Sequence, residues 1–90
     1  MMNKRTLKKC INLICDELFA ECLAASFYVN EKEGDNVEAL LFSIIKLQWN
    51  AISRISHPEP GMPAKAYFKD LREKFSSQAS EIIDQINNMN

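Results

Sequence analysis

The segment from Asp35 to Ser56 is apolar on two sides of a helix, so whatever fold contains it must offer two surfaces to cover it. At about 100° per residue, Val37, Leu40, Leu41, Ile44, Leu47, Ala51 and Ile55 share one side. Phe42 and Trp49, seven residues apart, fall roughly opposite. One side suits an intramolecular core. The other needs a second partner.

The flanking segments carry the same period. Leu7, Ile11, Ile14, Cys15, Leu18, Cys22, Ala25 and Val29 line one side of a first helix, with Lys8, Asn12, Asp16 and Glu17 off it. Phe68, Leu71, Phe75, Ala79, Ile82, Ile86 and Met89 form the single stripe of a third. Between the first two, EKEGDN (31–36) has no apolar residue and contains Gly34, a loop glycine, after which Asp35 and Glu38 have capping-box spacing. HPEPGMP (57–63) ends the second helix, because three prolines each lack an amide donor and restrict the residue before them. Pro60-Gly61 suits the centre of a type II turn with Gly61 at positive φ, and Pro63 suits the first position of the third helix. These signals predict helices over about 6–29, 36–56 and 63–88. With connections this short, the expected fold is all-α: a single domain over 1–90, an up-down-up antiparallel three-helix bundle. A compact monomer of this length has an expected radius of gyration of about 12 Å.

The 90 residues are 47% hydrophobic and 26% charged, with a formal net charge of -1, so no global charge draws the chain to nucleic acid or anionic lipid. No apolar run approaches the ~18 residues of a membrane span, and acidic residues interrupt any signal-peptide core after MMNKRTLKK. Cysteine is present in an odd number, three, and Cys15 and Cys22 lie about 10 Å apart along a helix, too far to bridge. Free thiols in a reducing cytoplasm are the expectation.

Candidate chemistry is sparse. A metal site needs several convergent ligands, yet Cys10 points about 120° from Cys22 and the lone histidine, His57, sits in the proline loop. The cysteines read as small core residues. Ser53, His57 and Glu59 have the residue types of a nucleophile, base and orienter, but no glycine elbow accompanies them and Pro58 breaks the helical relation. His57 reads instead as a cap for helix carbonyls or a solvent-facing side chain. The pairs Asp16/Glu17 and Asp70/Glu73 lie among solvated positions. The expectation is a non-enzymatic protein with no metal and no cofactor.

Charge is segregated by position. An up-down-up arrangement gathers Lys4, Arg5, Lys8, Lys9, Arg54, Lys65 and Lys69 at one end, and Glu31, Glu33, Asp35, Glu38, Glu81 and Asp84 at the other. The basic pole is the basis of an alternative function as a nucleic-acid accessory protein, though no aromatic platform or helix-turn-helix accompanies it. The stronger signal is apolar. Phe19, Leu23 and Phe27 recur every four residues about 100–180° from the core side of the first helix. With Phe42, Ile45 and Trp49 they form one patch if both stripes fall on the same side of the bundle. The expected role is protein interaction or scaffolding through helices one and two, as an antiparallel homodimer or with a different protein.

NKRTLKKCINLICDELFAEC (3–22) and ISRISHPEPGMPAKAYFKDL (52–71) resemble segments of small uncharacterised all-helical proteins of gut bacteria. The resemblance implies a helical bundle and a bacterial cytoplasmic setting. It implies no activity, cofactor or catalytic residue.

Overall fold

A computed structural model describes residues 3–28 and 34–88. They form α1 (Lys4–Ser26), α2 (Gly34–Ser56) and α3 (Ala64–Asn88), an all-α three-helix bundle in which each helix touches the other two. α1 begins earlier than its apolar period because Asn3 caps it: Asn3 Oδ1 accepts from the Thr6 N–H at 2.8 Å, and the Asn3 carbonyl from the Leu7 N–H at 3.0 Å. It ends at Ser26 rather than near Asn30, with Phe27 as an αR C-cap whose N–H donates to the Ala24 carbonyl at 3.2 Å, while the Tyr28 N–H donates to that of Ala25 at 3.0 Å. α2 begins at Gly34, so Gly34 and Asp35 belong to its first turn, not to a loop and a cap.

The proline segment turns where expected but by a different conformation. The Met62 N–H bonds to the Glu59 carbonyl at 3.3 Å, which places Pro60-Gly61 at the centre. Gly61 does not take a positive φ, so the turn is not type II. Proline is equally at home at the first central position of a type I turn, which requires no left-handed residue. Pro63 stands just before α3, and its carbonyl accepts the Tyr67 N–H at 2.9 Å.

The core consists of Leu7, Ile11, Cys15, Leu18, Cys22 and Ala25 from α1, Val37, Leu40, Ile44, Leu47, Ala51 and Ile55 from α2, and Tyr67, Leu71, Phe75, Ala79, Ile82 and Ile86 from α3. Two expected members are displaced. Ile14 is 42% exposed, because it lies at the edge of the α1 stripe. Phe68 is only half-buried, and Tyr67 takes the central position that continues the 71–75–79 spacing. Leu41 is likewise half-buried, packed against the core from outside. Val29 and Met89, also assigned to core stripes, lie outside the described residues.

The bundle is a rod with extents of 47 × 20 × 17 Å and a radius of gyration of 14.8 Å, above the value for a compact globule. Its length follows from helices of 23 to 25 residues, each about 35 Å long, lying side by side. α1 approaches α2 more extensively than either approaches α3, and α1 and α3 meet least. α1 contributes the small Cys15 and Cys22 to the core, whereas α3 contributes the bulkier Tyr67 and Phe75. All three cysteines are free. Burial pushes the Cys15 thiol up to about 11, with nearby Asp16 adding to it, and burial also raises Cys22. Both are therefore protonated at neutral pH and act as small apolar filler. Among the described residues, no helix is long and apolar enough to cross a membrane.

Candidate functional site

The geometry of α2 decides where the surplus apolar residues lie. Its α3-facing flank carries Arg54, whose backbone carbonyl accepts the Tyr67 hydroxyl at 2.9 Å and whose guanidinium meets Asp70 at 3.3 Å. Its other flank, about 120° away around the helix, carries Gln48, which donates from Nε2 to Asn12 Oδ1 of α1 at 2.9 Å. The Asn12–Gln48 bond therefore marks an α1/α2 seam on the side away from α3.

That bond also sets the level of each residue along the antiparallel pair. Seven residues on from Asn12 is Phe19, and seven residues before Gln48 is Leu41, so these two stand level on the same seam. Both are half-buried and packed against the core, as is Ile52 one turn beyond Gln48. They form the floor of the face. Above it Leu23, Ile45 and Trp49 project outward, Trp49 being 68% exposed. Phe42, 66% exposed, and Phe27, 83% exposed, point almost directly away from the core and border the face. The two stripes thus share one side of the bundle. Of the six residues expected on this patch, Phe19 is the one packed partly against the core.

Sequence periodicity passed over Leu41 and Ile52 as members of this face. Their signal was the Leu41, Ile45, Gln48, Ile52 spacing of four, three and four residues, a stripe interrupted only by Gln48. Leu13 and Ile14 on α1, Tyr28 just beyond it and Ile83 on α3 are further exposed apolar side chains. Single exposed residues of this kind are ordinary.

The basic pole separates into parts. Lys4, Arg5, Lys9, Lys65 and Lys69 are exposed and Lys8 is half-buried. Arg54 does not join them, because its guanidinium lies 5.2 Å from the Tyr67 ring centroid and pairs with Asp70. Lys74 meets the same carboxylate at 3.2 Å. The hydrogen bond from Lys74 holds the Asp70 carboxyl below its ordinary value, assisted by Arg54 and opposed by partial desolvation. This cluster ties the end of α2 to the start of α3. Arg72, unremarked in the sequence, instead joins Lys4 and Lys65 around a cleft between the starts of α1 and α3.

Ser53 and His57 meet through the backbone, with the His57 N–H donating to the Ser53 carbonyl at 2.9 Å, and no hydrogen bond joins their side chains. Among the described residues, no three His, Cys, Asp or Glu side chains come together in a group that could hold a metal ion. Glu38, Glu81 and Asp84 are exposed at the acidic end, while Glu31 and Glu33 lie outside the described residues. No protein-family model, curated protein or solved structure matches the chain.

Proposed function

We propose that the protein is a non-enzymatic interaction module that pairs with a second copy of itself through the α1/α2 face, antiparallel, in a reducing cytoplasm. The observation that supports this reading is the stripe on the flank of α2 away from α3, where Ile45 and Trp49 are exposed and Leu41 is half-buried beneath them. Ile45 is the middle residue of Gly34–Ser56 and stands level with Cys15, the middle of Lys4–Ser26. A twofold axis across the rod at Ile45 lays Leu41 of one copy against Trp49 of the other, so the stripe meets itself in register. The same axis brings Glu38 to the level of Lys8 in the second copy, and keeps each basic end away from its own duplicate.

The face lies on one side of a bundle 47 Å long and 20 Å wide, which has room for a standard interface of about 800 Å² per partner. Apolar contact supplies most of the affinity, with Phe42 and Trp49 as anchors. Exposed charge pairs add no more than about 1 kcal/mol each, and they set direction.

Light scattering across roughly 1–100 μM, the range where weak dimers form and dissociate, is the primary test. A dimer mass that falls on dilution is expected. A monomeric mass throughout would remove the homodimer and leave the face to a different protein. Spin labels at position 5 in a Cys10→Ser background read the direction, since the antiparallel pair separates them by about 30 Å along the axis. A label-to-label distance below about half that value would establish a parallel pair.

A further inference from the structure

The cleft between the first turns of α1 and α3 belongs to no part of the α1/α2 face. It encloses about 400 Å³ and is lined by Asn3, Lys4, Leu7, Ala64, Lys65, Phe68 and Arg72. Its origin is the slight contact between α1 and α3, which leaves Leu7 and the half-buried Phe68 facing a space that no other side chain of the described residues fills. The floor is apolar and the rim is cationic.

Electrostatics in the cleft run in one direction. The ion pairs in the described residues both belong to Asp70, so Lys4, Lys65 and Arg72 have no carboxylate partner there. Neither α1 nor α3 has an acidic residue in its first turn. Both helices start at the cleft, and the free backbone N–H groups of their first turns add partial positive charge to the three cations. Asn3 uses its Oδ1 to cap α1, which leaves its Nδ2 as a further donor at the rim. Each polar side chain at the rim offers a donor, and none is a carboxylate.

From this combination we propose that the cleft binds a soluble amphiphilic carboxylate, a small molecule with an apolar body and one anionic head. The body lies over Leu7, Ala64 and Phe68 and displaces water from them. The carboxylate accepts from Lys65 and Arg72, with Lys4 and Asn3 on the opposite rim. Arg72 offers a planar two-pronged donor that matches a carboxylate, and the lysines adjust to it. The volume is at the lower end for small-molecule sites, which fits a ligand of modest size.

Isothermal titration of the full chain with decanoate, decanol and acetate tests both halves of the site. Decanoate alone should bind, because decanol lacks the charge and acetate lacks the body. Lys65→Ala with Arg72→Ala should weaken decanoate binding by about tenfold, since two exposed charge contacts are removed. Ala64→Phe, at an exposed position outside the core, should abolish binding by filling the cleft while every cation stays in place. Lys46→Ala, remote on α2, should leave it unchanged.

Equal affinity for decanol would show that the cations have no part, and unchanged affinity in Ala64→Phe would place the ligand elsewhere. Either result overturns the proposal. So does binding to anionic phosphatidylglycerol vesicles without binding of free decanoate, which would make the rim a membrane contact. Binding seen only after deletion of Met1 and Met2 would assign the cleft to the chain's own start and overturn it equally.

Discussion

The two flanks of α2 receive opposite treatment. Toward α3, polar groups near its end are paired: the Arg54 carbonyl takes the Tyr67 hydroxyl, and the guanidinium takes Asp70 and the Tyr67 ring. Toward the outside, Ile45, Trp49 and Phe42 carry large apolar surface to solvent with only the Asn12–Gln48 bond beside them. A helix that spends one flank on the fold and leaves the other uncovered divides its residues into those that hold the monomer together and those that can hold something else. Substitutions on the two flanks should therefore separate folding from association.

The largest effect belongs to the covered side. Phe75→Ala removes a buried aromatic side chain that anchors α3, and chemical denaturation should show a loss of about 3–5 kcal/mol. Trp49→Ala should leave the unfolding free energy of the monomer within about 0.5 kcal/mol. It should weaken self-association by about 2 kcal/mol, read from the concentration dependence of the mass. If Trp49→Ala melted the monomer and spared association, the flanks would be assigned the wrong way round.

Alkaline pH probes the burial of α1 in the core. The folded protein raises the Cys15 thiol from an ordinary value of 9.0 to about 11, so the unfolded chain gives up this proton first. That contribution to stability is complete below pH 9, and it is lost as pH rises toward about 11. Denaturation midpoints should fall over that interval, and Cys15→Ala should flatten the fall. Equal labelling rates for the half-buried Cys10 and for Cys15 at pH 8 would contradict the burial on which this rests.

Tyr67→Phe tests the paired flank with a single atom. It keeps the ring against Arg54 and removes the hydroxyl from the Arg54 carbonyl, at an expected cost of about 1 kcal/mol. The smallest expected effect is favourable. Gly61 has no positive φ, and a Cβ there would meet nothing within 4 Å, so Gly61→Ala should stabilise the fold by about 0.4–1 kcal/mol through the unfolded chain. A loss of stability would mean that the turn needs glycine after all.

Periodicity and breakers in the sequence determined the number of helices, the order of their connection and almost all of the core. These are local properties: a stripe at 3.6-residue spacing and a proline without an amide donor act wherever the chain goes. They also marked α2 as doubly apolar, and they placed Trp49 and Phe42 opposite its core side. Local rules were weakest at single positions. The stripe of the third helix includes Phe68 and leaves out Tyr67, whose buried hydroxyl is satisfied by the Arg54 carbonyl at the end of another helix, a partner no local pattern shows.

The tertiary structure alone decided which flank of α2 is covered. A helical wheel is symmetric about the core direction, so the sequence of α2 is equally compatible with α3 on either side. The Arg54–Asp70 and Asn12–Gln48 contacts, each joining residues far apart in the chain, resolve that handedness and put both apolar stripes on the uncovered side. The cleft arises in the same way. Lys4 and Arg72 lie far apart in the sequence and have no local relation, and they meet around an apolar floor where α1 and α3 touch least. Handedness and the space between helices depend on how three long cylinders of unequal side-chain size pack, a property that belongs to no single segment.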